Sequence, residues 1–337
     1  MSLPSASPNP RGLAALLARA ACIGFAPIWV RWSEVGPVAT AFHRLLLALP
    51  FLALWVARER IPGLPSGRGP GPGAGSRAAG DTRREAAGGS GAWIAGAGIG
   101  FALDLTAWHL SIRYTTVADA TLLTNLAPIF VTLGAWLVLG ERAGTRFFAG
   151  MGLALAGAWL VTGASLRVDP SRLRGDLYGL ATAFFYGCYQ LCVARLRRSL
   201  PAGRVLLFSS LVSTPVLAIL AFGAGEDLWP ATARGWLIVV GLAFTAQVLG
   251  QGLITYGFAH LPAGYSSLTL LFQPLVAALA GWILLGEPLT AGQAAGGAIL
   301  LLGLFVARGD AGGSPRSPRP GGTGPGMCHS PAPGTDP

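Results

Sequence analysis

The sequence predicts an all-α polytopic membrane protein, and three observations lead to that fold class. Of the 337 residues, 52% are hydrophobic and 11% are charged, and the mean hydropathy is +0.56. Soluble globular chains carry about 25% charged residues, so this chain has too few charges to cover a soluble surface. The apolar residues also gather into long runs separated by short polar segments. We therefore expect helices that cross a membrane.

Ten of these runs have about the 20 residues that a helix needs to cross a hydrocarbon core of ~30 Å. The predicted spans are residues 13–32, 37–57, 92–112, 115–139, 145–164, 176–195, 203–223, 233–257, 262–285 and 290–307. Arg31 closes the first run and no small-residue cleavage site follows it, so we predict a retained span and not a signal peptide. Residues 1–12 form an N-terminal tail.

Two segments have a composition typical of disorder. The loop 62–90 and the C-terminal tail 308–337 are rich in Gly, Pro, Arg and Ser and contain few large apolar residues. Such segments bury too little apolar surface to offset the chain entropy that folding removes. We therefore predict that both are disordered.

The basic residues exclude several function classes. All 24 are arginines, so a P-loop ATP site and a pyridoxal Schiff base, which both need a lysine, cannot be built. The arginines lie between apolar runs and not on an aromatic-interleaved basic face, so we expect no nucleic-acid partner. The four cysteines and four histidines form no ligand cluster, which predicts no metal and no cofactor.

The arginines also predict an orientation. With the N-terminus inside, 17 arginines, Arg11 and Arg19 among them, fall on one side of the membrane and 6 fall on the other. Arg44 lies within a span. Because cytoplasmic loops carry an excess of arginine, we assign both termini to the cytoplasm and the chain to the inner (plasma) membrane.

An internal repeat is the strongest signal. Residues 128–161 match residues 274–307 at an offset of 146, and a second block matches at an offset of 143. The aligned pairs are Pro128 with Pro274, Glu141 with Glu287, Gly150 with Gly296, Gly157 with Gly303, and Asp104 with Gln247. The repeat predicts two halves of five spans, residues 13–164 and 176–307. An odd number of spans inverts the second half, an architecture typical of secondary transporters.

Each half ends in a helix, a proline, Leu-Gly-Glu, two spaced glycines and a further helix, and the second span reads GPVATAFHRLLLALPFLAL. This pattern resembles the EamA-type branch of the drug/metabolite transporter superfamily over most of residues 13–307. The resemblance implies ten helices in two EamA repeats and alternating-access movement of small metabolites, often export. Arg44 matches an arginine common in the second helix of that family. Glu141 and Glu287 match the glutamates that end the fourth helix of each repeat.

The central candidates are polar residues inside spans. Asp104 and Trp108 are four residues apart on one helix face, and the repeat places Gln247 and Gln251 at equivalent positions. A charged group in hydrocarbon costs about 2.5–3.5 kcal/mol even on lenient scales, so it indicates a function. Substrate or proton binding is the functional interpretation, and an interhelical hydrogen bond that fixes packing is the alternative.

Other polar residues have weaker claims. Arg44 could bind a carboxylate or phosphate or pair with Asp104, but its position near the end of the span favours snorkelling to the interface. Tyr186, Tyr189 and Gln190 give the sixth span a polar-aromatic patch that could line a cavity or pack in the core. Weaker candidates of the same kind are Asn125, Gln273, Tyr256 and Tyr265.

Two glutamates at span ends complete the set. Glu141 and Glu287 each follow Leu-Gly, which predicts helix termination with local capping. Their equivalent places on opposite membrane faces leave a gating role open. Gly150 and Gly157, like their repeat partners, are seven residues apart on one face and predict close helix packing.

These features together predict a secondary-active transporter, most simply an exporter of amino acids, related metabolites or drugs. A gradient-independent exchanger is the first alternative. A non-transporting membrane protein or a membrane enzyme is the second, although lipid-acting enzymes usually need clustered carboxylates or histidines at the interface. The expected partners are a small-molecule substrate and the lipid bilayer, with a homodimer left open.

Overall fold

The computed structural model describes residues 9–24, 26–59, 76–163, 172–285 and 288–309, and every regular element within them is helical. Residues 62–75 of the predicted disordered loop and residues 310–337 of the C-terminal tail lie outside these residues. The α-helices are α1 (Pro10–Gly24), α2 (Ala26–Trp32), α3 (Pro37–Leu46), α4 (Leu49–Arg58), α5 (Ser76–Tyr114), α6 (Val117–Thr124), α7 (Ala127–Gly134), α8 (Thr145–Thr162), α9 (Leu173–Leu196), α10 (Ala202–Gly223), α11 (Ala233–Leu242), α12 (Gly252–Gly257), α13 (Ala263–Thr269), α14 (Phe272–Leu285) and α15 (Ala291–Arg308). Two π-helical segments, Ala135–Leu139 and Ala243–Gln251, follow α7 and α11.

Seven helical stretches in the described residues are long and apolar enough to cross a membrane. They are Pro37–Arg58, Ala118–Leu139, Thr145–Thr162, Leu173–Leu196, Ala202–Gly223, Ala233–Gly257 and Ala291–Arg308. The other three predicted spans are also helical: 13–32 and 262–285 are each divided between two helices, and 92–112 lies within α5. The protein is therefore an all-helical, multi-pass membrane protein.

The structure corrects one boundary of the predicted disordered loop. Residues 76–90 are helical and continue into the predicted span 92–112 as one helix, α5. This stretch contains four alanines and three arginines, which favour helices, and it contains no proline. The breaker-rich part of the loop, residues 60–75, lies outside the described residues.

Three breaks within predicted spans have the same cause. A proline lacks an amide hydrogen, and its ring clashes with the carbonyl four residues earlier, so a helix tends to end there. Pro50 and Pro128 each lie four residues after a helix end, at Leu46 and Thr124, and Pro274 lies five residues after the helix end at Thr269. The spans that contain them are thus pairs of shorter helices with freed backbone carbonyls in the interior.

Helices α8 and α15 form a seam in which backbone packs on backbone. A Cβ at Gly150 would clash with the Gly303 carbonyl and the Ala307 amide, and a Cβ at Gly296 would clash with the Gly157 carbonyl and the Val161 amide. These two sets of contacts are related by the 146-residue offset. The two helices run antiparallel, and the predicted close packing of the four glycines is confirmed.

The remaining packing surrounds a polar interior. Helix α5 packs on α9, helix α1 packs on α12 and the second π-helical segment, and α10 packs on α3 and α4. The interior side chains of α1, α3, α5, α9 and the second π-helical segment supply the buried polar groups described next.

Candidate functional site

Arg44 lies at the centre of the polar interior. Its side chain is only 6% exposed, and its Nε donates a hydrogen bond to Oε1 of Gln247 at 3.2 Å. Gln247 Nε2 in turn lies 3.3 Å from Oγ of Ser210. The expectation that Arg44 snorkels to the interface is therefore wrong, because a polar acceptor from the other half of the sequence holds the guanidinium inside.

Asp104 supplies the negative charge of this interior. Its carboxylate is 6% exposed and interacts electrostatically with Arg44, although no ion pair within 4 Å joins the two in the described residues. Within the same residues the carboxylate has no hydrogen-bond donor. Asp104 thus faces a cation and retains free acceptor capacity.

An aromatic column lies beside the guanidinium. The Arg44 Cζ is 5.7 Å from the ring centroid of Phe101, and that ring stacks on Tyr189 with centroids 4.5 Å apart. Tyr189 stacks in turn on Tyr186 at 6.1 Å. The two predicted tyrosines therefore border the same interior as Arg44, while Phe101 was not predicted because a phenylalanine inside a span carries no distinguishing signal.

The other predicted residues stand apart from this cluster. Gln251 and Gln190 are fully or nearly buried, and Trp108 is half-buried with its ring against His109 at 5.0 Å. No hydrogen bond or ring contact joins these three to Arg44 or Asp104 in the described part of the chain. Gln247 and Gln251 lie in a π-helical segment and not in the regular helix that the i, i+4 argument assumed. Such segments occur frequently at functional sites.

Several buried polar atoms around the interior have no partner among the described residues. They are the hydroxyl of Tyr189, Oε1 of Gln251, and both amide atoms of Gln190. An unsatisfied buried donor or acceptor costs about 1–3 kcal/mol, so such groups are rare outside functional sites. Free polar atoms of this kind are what a site for a polar ligand requires.

Arg19 is a site residue that the sequence analysis missed. It was counted among the loop arginines, yet it is 2% exposed and bonds two groups near the α13–α14 break. Its Nη2 donates to the carbonyl of Leu270 at 3.1 Å and to Oε1 of Gln273 at 2.8 Å. The signal was available, because Arg19 lies within the predicted first span, where a charge needs a partner.

Glu141 ties the end of one span to the start of another. Its Oε2 accepts from the amide of Ala263 at 2.9 Å, and its Oε1 lies 3.3 Å from Nη2 of Arg198. It lines a cavity of about 250 Å³ with Arg197 and His260. Burial raises the pKa of Glu141, and the Ala263 amide and Arg198 only partly oppose that rise. The cap reaches a distant helix, in place of the predicted local one.

Of the remaining candidates, all but one lie within the described residues. Gln273 binds Arg19, whereas Nδ2 of Asn125 has no partner among the described residues. Tyr265 is buried, and the ring of Tyr256 lies 4.4 Å from that of His260. Glu287 lies outside the described residues.

Known proteins resemble this chain in both sequence and fold. A protein named a probable amino-acid metabolite efflux pump in Salmonella typhimurium is 28% identical over 209 residues, covering 58% of this chain and 69% of its own. A pseudopaline exporter of Pseudomonas aeruginosa is 27% identical over 213 residues, covering 61% and 70%. An uncharacterised transporter of Archaeoglobus fulgidus is 25% identical over 207 residues, covering 61% and 72%.

One solved structure has the same fold, with a TM-score of 0.67 and 20% identity over 88% of this chain and 96% of that chain. The EamA-like transporter family matches residues 10–163 and 173–309, which together contain every site residue named above. The names of the family and of these relatives indicate transporters and not enzymes. The chain is a membrane transporter and belongs to the EamA-like transporter family.

Proposed function

We propose that this protein is a secondary-active transporter of a small polar or amphipathic metabolite, working by alternating access. The observation that carries the proposal is Arg44, which bonds Gln247 from the second half and faces Asp104 from the first. A site assembled from both halves changes its shape when the halves move relative to each other. The named relatives move amino-acid metabolites and pseudopaline, which supports export of amino acids, related metabolites or drugs.

The proposed architecture is ten spans in two inverted halves. The glycine contacts of α8 and α15 support it, because they interchange under the 146-residue offset, as contacts across a pseudo-two-fold axis must. Since the two helices are antiparallel, such an axis would lie in the membrane plane. The arginine distribution supports cytoplasmic termini in an inner membrane.

In the proposed coupling step Asp104 carries the proton. When Asp104 is ionised it attracts the Arg44 guanidinium, and when it is protonated that attraction ends and Arg44 is free to bind a substrate group. Tyr186 and Trp108 offer flat surfaces to the substrate, Tyr189 supports Tyr186 from within the aromatic column, and Gln190, Gln247 and Gln251 offer amides. No ATP site is available, so an ion gradient would supply the driving force.

Glu141 has a proposed part in gating. It joins the chain after α7 to the first turn of α13 and to the end of α9. Breaking these contacts would separate helices of the two halves at one membrane face. Glu287 is its repeat partner, and the same role is proposed for it from the sequence alone.

Purified protein in proteoliposomes tests the proposal. With a pH gradient imposed, we expect flux of at least one amino acid or cationic drug, and we expect Asp104→Asn to abolish the gradient-driven component. Counter-flow with preloaded vesicles should survive in Asp104→Asn, because exchange needs no net proton movement. Unchanged pH-driven flux in that variant would refute the coupling role. Gradient-independent exchange in the wild type would favour the exchanger instead.

A further inference from the structure

The buried charges of the interior do not balance. Among the buried side chains that the structure describes, the arginines and carboxylates are Arg19, Arg44 and Asp104. Two guanidinium groups and one carboxylate leave a net positive charge inside the membrane when Asp104 is ionised. An isolated charge in a low-dielectric interior is costly unless an opposite charge accompanies it.

Arg19 is held in place without being neutralised. Both of its acceptors, the Leu270 carbonyl and the Gln273 amide oxygen, are uncharged, and its Nε has no partner among the described residues. The Leu270 carbonyl is available because Pro274 ends the helix there. The backbone break therefore positions the guanidinium and leaves its charge uncompensated.

Tyr186 connects Arg19 to the central site. Its phenol interacts electrostatically with Arg19, Arg44 and Asp104, and its ring stacks on Tyr189 beside the Arg44 guanidinium. The two arginines thus border one interior, Arg19 from α1 and Arg44 from α3, and both interact with Tyr186.

We propose that the substrate carries a carboxylate and is bound with that group between Arg19 and Arg44. The inference rests on the proposed function, since it names the substrate class of the same site. Guanidinium groups bind carboxylates through charge-assisted hydrogen bonds, and the bound anion reduces the excess positive charge of the interior. Asp104 balances only one of the two arginines, so carboxylates without an amine bind at least as well as the corresponding amino acids.

Matched probes isolate the contribution of the carboxylate. Hydrocinnamate, phenylalanine and phenethylamine share one hydrocarbon group, and isocaproate, leucine and isoamylamine share another. Binding to the purified full chain in nanodiscs is measured by thermal shift and tryptophan fluorescence. We expect both carboxylates and both amino acids to bind, and both amines to bind at least ~10-fold more weakly, as the loss of a charged hydrogen bond predicts.

Variants assign the effect to Arg19. Arg19→Gln, which can still donate to the Leu270 carbonyl, should weaken carboxylate binding about 10-fold or more, and Arg19→Lys should recover part of it. Arg113→Gln, at the exposed end of α5, is the matched control and should bind like the wild type. Preference for the amines, no carboxylate binding, or carboxylate binding unaffected by Arg19→Gln would overturn the inference.

Flux measurements keep the two proposals distinguishable. Currents on solid-supported membranes for the same six probes report transport and not binding. Carboxylates that bind through Arg19 but never move would contradict the transporter mechanism and leave the substrate class standing. Movement of the amines alone would contradict the substrate class and leave the transporter mechanism standing.

A second inference comes from two glutamates at the ends of a pair of spans. Each glutamate follows one span and accepts a hydrogen bond from the first turn of the other. Glu226, after α10, accepts from the amide of Ala39 in the first turn of α3 at 2.8 Å. Glu59, after α4, accepts from the amide of Gly203 in the first turn of α10 at 2.7 Å. A Cβ at Gly203 would lie 2.9 Å from the carboxyl carbon of Glu59, so the glycine admits the carboxylate.

The two contacts lie at opposite ends of an antiparallel pair of spans, Pro37–Arg58 and Ala202–Gly223. Each therefore lies at a different membrane face, and each joins the two halves of the sequence. A carboxylate at a helix N-terminus is stabilised by the free amides and the helix dipole. We infer that these contacts are two alternating latches, of which one opens while the other stays closed.

Hydrogen exchange on the full chain in nanodiscs tests the latches. Glu59→Ala should speed amide exchange in the first turn of α10 and slow it in the first turn of α3, and Glu226→Ala should do the opposite. Asp227→Ala, an exposed neighbour of Glu226, is the control. Faster exchange at the mutated end with no added protection at the other end would show ordinary helix caps and refute the latch.

Discussion

The seam between α8 and α15 and the central site are both made of helix contacts across the two halves, yet their chemistry is opposite. In the seam, Gly150, Gly157, Gly296 and Gly303 bring backbones together, and the atoms that meet are amides, carbonyls and small side chains already bonded within their own helices. In the central site, charged and amide side chains meet, and several polar atoms nearby have no partner within the described part of the chain. The seam is closely packed, whereas the central site keeps polar atoms that a ligand of the proposed kind would bind.

The membrane explains why these two solutions coexist. Between helices in lipid the hydrophobic effect gives little net attraction, so stability comes from close van der Waals contact between small residues. Unsatisfied polar groups contribute nothing to that stability and cost free energy. We conclude that the close packing of the seam stabilises the fold. The buried polar groups of the central site lower that stability, as functional sites generally do.

The largest expected effect is on the seam. Gly157→Leu places a side chain where the Leu300 amide and the Gly296 carbonyl already lie, the latter 2.6 Å from the new Cβ. Since backbone cannot move aside without separating the helices, we expect at least the ~1–3 kcal/mol typical of overpacking, with loss of monodisperse protein. Fluorescence-detected size exclusion and thermal unfolding measure this.

Gly152→Leu is the matched control for the seam. Gly152 lies on the same helix, is exposed, and has no atom within 4 Å of the position of an added Cβ. The same substitution there should leave folding and unfolding temperature close to those of the wild type. Equal destabilisation by both variants would show that a bulky side chain anywhere on α8 is responsible, and not the contact at the seam.

The second expected effect concerns the central site, where the unfolding free energy and the transport rate should respond differently to the same variants. Arg44→Gln leaves Asp104 without its cation, and breaking one partner of a buried charge pair typically costs ~3–5 kcal/mol. Adding Asp104→Asn removes the uncompensated charge, so the double variant should regain much of the lost unfolding free energy. It should not regain transport, because neither charge is then present. A double-mutant cycle of unfolding free energies, with flux measured in parallel, checks both statements.

Additive destabilisation in that cycle would mean that Arg44 and Asp104 do not interact. Recovery of flux in the double variant would mean that the centre is a packing network like the seam. Either result would remove the contrast between the two regions.

Much of the seam and part of the centre were predictable from the sequence. The glycine spacing is visible as a repeat, and Asp104 and Gln247 align within it, because both signals are local or periodic. Arg44 was predicted to snorkel to the interface because that prediction considered only its distance from the end of the span. Depth along a helix does not tell which neighbour supplies an acceptor, here Gln247, which is 203 residues away in sequence.

The residues that were missed depend on distant contacts or on backbone irregularity. Arg19 is held by a carbonyl that only the α13–α14 break exposes. The π-helical segment that carries Gln247 and Gln251 changes their relative direction, and no sequence signal marked it. Glu59 and Glu226 bond helix starts 144 and 187 residues away, so each resembles an ordinary loop charge in the sequence.

The smallest expected effect concerns Glu141, which connects the two regions. It precedes the seam helix α8 and caps α13, whose other end carries the Leu270 carbonyl bound by Arg19. The groups around it are Arg198, Arg197 and His260. Because burial raises its pKa in the folded protein, the folded state binds a proton more readily than the unfolded state does. Its contribution to stability therefore grows as the pH falls through the folded-state pKa.

Glu141→Gln cannot titrate, so the comparison isolates this group. The unfolding free energy of the wild type relative to Glu141→Gln should rise on acidification from neutral pH, as measured by thermal unfolding of both proteins over a pH series. If the ion pair with Arg198 outweighed burial, the folded-state pKa would be depressed and the wild type would lose stability relative to the variant as the pH falls. That opposite slope would place Glu141 with the fixed contacts of the seam. The expected slope places it with the central groups, for which we propose a change of charge state during transport.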